Sequence, residues 1–88
     1  MSVTIAWAKG GEARVLALET DSARLWSSIP SPPGSRIEGR LTAEGAPSET
    51  IKFKIHVCQA APEGGYVLQG RPLDLRREVR EAITSRLA

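Results

Sequence analysis

The stretch that decides the fold is IKFKIHVC, Ile51 to Cys58. Ile51, Phe53, Ile55 and Val57 alternate strictly with Lys52, Lys54, His56 and Cys58. Side chains on a strand point to opposite faces with a period of two, so this is a strand with one face on a core and one face polar. The same period recurs on both sides of it. Upstream, Val3, Ile5 and Trp7 alternate with Thr4, Ala6 and Ala8. Arg14 to Thr20 places Leu16 and Leu18 on one face, with Val15 and Ala17 on the other. Ala23, Leu25 and Ser27 oppose Arg24, Trp26 and Ser28. Arg36 to Thr42 sets Ile37 and Leu41 on one face, with Gly39 expected at a bend or bulge. Downstream, Tyr66 to Gln69 reads as a sixth strand.

Turn chemistry separates these segments: Lys9-Gly10-Gly11-Glu12, Asp21-Ser22, IPSPPG at 29–34, EGAPSE at 44–49, and APEGG at 61–65. Proline cannot donate to a ladder, so IPSPPG is no central strand. After Pro72 the period changes. Leu75, Val79, Ile83 and Leu87 recur every four residues, a helical stripe, with Asp74 as its N-cap and Arg77 and Glu81 paired one turn apart. The pattern predicts a mainly β domain, a small six-stranded antiparallel β-barrel with a C-terminal α-helix over one opening or face.

The totals agree with a single domain over 1–88. At 88 residues, 41% apolar and 25% charged, the chain has the composition of an ordinary globular protein. No apolar run approaches the ~18–20 residues of a membrane-spanning helix, and no signal-peptide pattern is evident. One cysteine, Cys58, precludes an internal disulfide, and one histidine, His56, leaves no metal cluster. A cytoplasmic setting is expected. Net charge is +2, from twelve basic and ten acidic residues. Lys52, Lys54 and His56 form a basic row, which Arg71, Arg76, Arg77 and Arg80 extend, but an excess this small does not demand nucleic acid and none is expected as partner.

Beyond layout, PPGSRIEGRL followed by IKFKIHVCQAAPEGGYVLQGRPLDLRREVREAITSRL resembles the later half of a PilZ domain. The matching places are Gly34 to Ile37, Ile51 to Val57, Tyr66 to Gly70, and Leu75 to Ile83 with Arg80 inside. The resemblance implies a six-stranded barrel with a C-terminal helix. It also raises cyclic di-GMP, which members of the family bind with an R-x-x-x-R arm before the barrel and a [D/N]-x-S-x-x-G motif between the second and third strands. Both elements are degenerate here. With Ser22 at the motif serine, TDSARL puts Thr20 where the acid or amide belongs and Leu25 where glycine belongs. No arm precedes Val3. Arg36 and Arg40 have the arm's spacing, but they lie inside a strand as solvated side chains. The same RIEGR contains Ile-Glu-Gly-Arg, a protease recognition string that fits the strand pattern.

The implied role is that of an atypical PilZ-like module acting through protein–protein contacts in bacterial motility or surface regulation, with no or weak nucleotide binding. The alternative is a cyclic di-GMP receptor with substituted ligand residues. No enzyme is expected. There is no triad, paired-carboxylate motif or phosphate loop, and His56 and Cys58 on one strand face stand about 7 Å apart, too far for a nucleophile–base pair. No cofactor is expected. The residues assigned to partner contact are Arg24, Trp26 and Ser28, continued by Ser27 and the proline loop, with Trp26 lying over the barrel end or under the C-terminal helix as the alternative. Trp7 is assigned to the core.

Overall fold

The alternation seen in the sequence is that of a closed sheet, and closure removes the exposed edges that short strands otherwise leave. The computed structural model describes residues 3–42 and 49–87. Its strands are β1 (Thr4–Trp7), β2 (Glu12–Leu18), β3 (Ala23–Ser27), β4 (Arg36–Thr42), β5 (Glu49–Ala60) and β6 (Tyr66–Leu73), followed by helix α1 (Arg77–Leu87). All pairings are antiparallel, and the order around the barrel is β1-β2-β3-β6-β5-β4, closed by β4 against β1. Most of EGAPSE and the side chain of Leu87 lie outside the described residues.

The core is the inner face of the barrel. Ile5, Val15, Leu25, Ile37, Leu41, Ile51, Phe53, Ile55 and Leu68 are all buried there. Trp7 joins them, at 4% exposure, with its ring edge-on to Phe53 at a centroid distance of 6.4 Å. A buried indole N–H needs an acceptor. Ser27 supplies it: Trp7 Nε1 donates to Ser27 Oγ at 3.0 Å, and that hydroxyl in turn donates to the Ile29 carbonyl at 2.7 Å. Ser27 is therefore an interior hydrogen-bond junction and no part of the outer face. Ser27→Ala leaves the indole N–H and the Ile29 carbonyl without this partner, and an unsatisfied buried group costs about 1–3 kcal/mol. The expected result is a clear fall in melting temperature, larger than that of Ser28→Ala on the exposed side.

Gly39 does not mark a bulge. The β4 register is continuous on both sides. A Cβ at Gly39 would come within 2.6 Å of the Ala6 carbonyl oxygen and within 2.9 Å of the Trp7 ring, so glycine is what lets β1 close against β4. True bulges occur elsewhere, in β2 between Val15 and Ala17 and in β5 between Ile55 and Val57. Each inserts one residue and reverses the in–out parity beyond it. Leu16 is therefore exposed, at 48%, while Leu18 packs on the core. Past His56, Cys58 packs on the core and Val57 joins the outer wall. The expected faces of Leu16, Val57 and Cys58 are corrected accordingly.

Strand β6 continues past Gln69 to Leu73, with Pro72 opposite Phe53. Helix α1 packs against β2, with Val79 and Ile83 buried and Leu75 partly so. Asp74 is not its N-cap. It sits at φ 52°, a left-handed conformation that aspartate tolerates, three residues before the helix begins. The expected pair forms, Arg77 Nε to Glu81 Oε1 at 3.0 Å, on the exposed side. Arg76 pairs with Glu49 at the start of β5, and Arg80 donates to the carbonyls of Glu19, at 2.6 Å, and Thr20, at 3.1 Å. These anchors place the helix over the end of the barrel where β2 finishes and β5 starts.

Candidate interaction surface on the barrel wall

Cross-strand register decides which outward side chains meet. On the wall formed by β2, β3, β6 and β5, two outer rows run across all four strands. The first is Arg14, Trp26, Val67 and Gln59. The second is Ala17, Arg24, Gln69 and Val57. Between them lies the inner row Val15, Leu25, Leu68 and Cys58. The two bulges bring Ala17 and Val57 into the second row, so both ends of that row depend on an inserted residue.

Trp26 faces outward, as the period of two predicts. Its surroundings are more definite than the sequence indicated. The ring is half-buried, Nε1 donates to the Gly64 carbonyl at 3.0 Å, and the Arg14 guanidinium carbon stands 4.8 Å above it. Gly65 lies so close that a Cβ there would meet the indole at 2.6 Å. Trp26 is thus held by the β5–β6 turn, and neither the helix nor the core takes it. Arg24 is exposed and forms no ion pair with a described residue. Ser28 is exposed too, but its hydroxyl accepts from Glu12 N at 2.9 Å and it lies four residues from Arg24, about 13 Å along the strand. Ser28 nonetheless follows Trp26 by two residues, about 7 Å, so it continues the outward face of Arg24 and Trp26 with its hydroxyl already engaged.

The β2–β3 turn is where the resemblance would put a nucleotide motif. Glu19 N donates to the Ser22 carbonyl at 2.8 Å, closing the turn on itself, and Arg80 holds the carbonyls of Glu19 and Thr20 from the helix side. Thr20 and Ser22 are exposed, and Leu25 points into the core. Beside the turn is an open concavity of about 220 Å³ lined by Glu19, Asp21, Ser22, Arg24, His56 and Gln69, among others.

No protein-family model, curated protein or solved structure matches this chain. Among the described residues, no three His, Cys, Asp or Glu side chains come together to hold a metal ion, and no helix is long and apolar enough to cross a membrane. His56 and Cys58 do not share a face, because the bulge at His56 leaves the imidazole outside and the thiol against the core. Arg36 and Arg40 are exposed on β4. Arg36 takes part in a feature that sequence reasoning missed. It stands opposite Lys54, and Lys54 stands opposite Arg71. The sequence already grouped Lys54 with Arg71 in one basic row, but not with Arg36, because the alternation of each strand does not reveal register.

Proposed function

We propose that this chain is an atypical PilZ-like module that works in the bacterial cytoplasm through protein–protein contacts, in motility or surface regulation, with weak or no binding of cyclic di-GMP. The barrel with its C-terminal helix is the architecture that the resemblance implies. The observation that carries the reading is the β2–β3 turn. Its backbone is closed on itself and on Arg80, and Glu19 and Asp21 line the adjoining concavity. Two carboxylates repel a ligand that carries two phosphodiester anions. The concavity, about 220 Å³, also falls below the ~300–1,000 Å³ of pockets that enclose a ligand of ordinary drug size.

A receptor with substituted ligands is the second reading. It is favoured by Arg24, His56 and Gln69, which supply donors around the same concavity. Calorimetry of the pure protein with cyclic di-GMP separates the two. The expected result is no saturable site tighter than a Kd of ~10 μM, about −7 kcal/mol. A tighter site would establish the receptor reading instead. In parallel, Arg24→Ala is expected to lose partner capture from the native cytoplasm while its stability stays within about 0.5 kcal/mol of the parent, as for other exposed positions. Trp26→Ala is the poorer probe, because it also removes the bond to Gly64 and the stack under Arg14.

A further inference from the structure

The outer wall of β4, β5 and β6 sets three cations in directly opposed positions: Arg36 against Lys54, and Lys54 against Arg71. Side chains so placed have Cβ atoms about 4.5–5.5 Å apart, and like charges there destabilise a sheet. Lys52 lies two residues from Lys54 on the same face, between Glu38 and Leu73. None of these four cations forms an ion pair with a described residue. Lys54 is half-buried and the other three are exposed. Two arginines on and beside the helix do pair, Arg76 with Glu49 and Arg77 with Glu81, whereas Arg24 on the barrel wall is unpaired among the described residues as well. No ion pair among the described residues offsets the repulsion along this row, although Glu38 stands beside Arg36 on the same face, and an anion from outside would relieve it.

We propose that the Arg36–Lys54–Arg71 row is a docking surface for a short acidic protein segment. The proposal rests on the protein-interaction reading above and names the chemistry of the partner. Carboxylates flank the row along one side and stand beyond one end. Glu38 and Asp74 line a concavity of about 320 Å³ beside Arg36 and Lys52, Glu19 and Asp21 stand at the β2–β3 turn beyond Arg71, and at the other end Lys9 shares a concavity with Arg36. A continuous polyanion, such as a nucleic acid or an anionic lipid surface, would meet the carboxylates beyond Arg71 or alongside Lys52. A segment with two to four acidic side chains would not. The row also holds no aromatic ring on which a base could stack. Arg36 and Arg71 are separated by two strand spacings, about 10 Å, and each presents a planar fork suited to a carboxylate. Acidic residues at alternate positions of an extended segment, or one turn apart on a helix, reach both.

The test is fluorescence anisotropy of labelled hexaglutamate at low salt, with hexathymidylate and phosphatidylglycerol vesicles as comparators. The parent protein is expected to bind hexaglutamate, more weakly as salt rises, and to prefer it to both comparators. Lys54→Glu puts a carboxylate between two arginines. It is expected to weaken hexaglutamate binding by about tenfold or more while raising the melting temperature by about 3–8 °C, because two repulsive cross-strand pairs become attractive. Arg71→Gln, which removes charge without reversing it, is expected to weaken binding less, and Arg77→Gln on the helix to leave it unchanged. Undiminished binding by folded Lys54→Glu or Arg71→Gln overturns the proposal. So does tighter binding of hexathymidylate or of vesicles, which would assign the row to nucleic acid or to a membrane surface. If the parent does not bind hexaglutamate, the acidic-segment assignment fails, while the broader reading is judged separately by capture with Arg24→Ala.

Discussion

Gly70→Ala is expected to leave the chain unable to hold its barrel at ordinary temperature. Gly70 lies in the middle of the sheet, opposite Ala23 on β3 and Ile55 on β5. A Cβ there would land on the backbone oxygen of Lys54 and come within 3.0 Å of the Lys54 carbonyl carbon and 3.1 Å of Ile55 Cα. All three obstacles are backbone, so no rotamer change makes room, and β5 or β6 must move. Overpacking a core with one extra group typically costs about 1–3 kcal/mol. Displacing a strand that is paired on both sides costs more, about 3–5 kcal/mol, out of a total near the low end of ~5–15 kcal/mol for so small a domain. The chain carries its own reporter of this loss. Ile37-Glu38-Gly39-Arg40 is locked into β4, with Ile37 and Gly39 buried and partners on both sides. A protease that cuts after that string is expected to spare the parent protein and to cleave Gly70→Ala rapidly. A variant that resists the protease and melts within ~4–8 °C of the parent, about 1 kcal/mol, would show that the two strands can part cheaply there.

Ile83→Ala is the second large loss expected. Ile83 is 1% exposed and, with Val79, joins the helix to the core. An eleven-residue helix is marginal by itself in water, so packing supplies most of what holds it. Truncating a buried isoleucine to alanine costs about 2–5 kcal/mol, which for a domain of this size lowers the melting temperature by about 10–30 °C. The same change should loosen a distant turn. Arg80 is on the same helix and holds the Glu19 and Thr20 carbonyls, so the Glu19 amide, bonded to Ser22, is expected to exchange faster with solvent. An unchanged melting curve would mean that this face of the helix contributes nothing to the isolated domain and docks on a partner instead.

The strands were legible because each keeps its period of two for several residues and gives way to turn-forming residues, even where β2 and β5 lose the period at a bulge. IKFKI places Ile51, Phe53 and Ile55 inside, and ARLWS places Arg24 and Trp26 outside. What could not be read were the bulges. A single inserted residue leaves no compositional mark, yet it exposes Leu16 and sends Cys58 inward past His56. Asp74 has the chemistry of an N-cap and of a left-handed turn residue alike, and the short link from β6 to the helix selected the turn. At the candidate site, the outward direction of Arg24 and Trp26 was accessible, whereas the clamp on Trp26 joins residues 38 apart. The opposition of Arg36, Lys54 and Arg71 needed the register of three strands at once, and the turns around them do not fix it.

The position of β6 has a consequence for how the chain is made. β6 is the last strand synthesised, yet it lies between β3 and β5. Until Tyr66 to Leu73 emerge from the ribosome, β3 and β5 flank an open slot, each with a row of unpaired N–H and C=O groups. Such edges recruit strands from other chains. At ~5–20 residues per second this interval is brief, but it falls when nearly all the apolar residues of the barrel have already been made. A nascent chain stalled before Tyr66 would therefore aggregate instead of settling into a smaller barrel, and a chaperone that covers one of those two edges would protect it best.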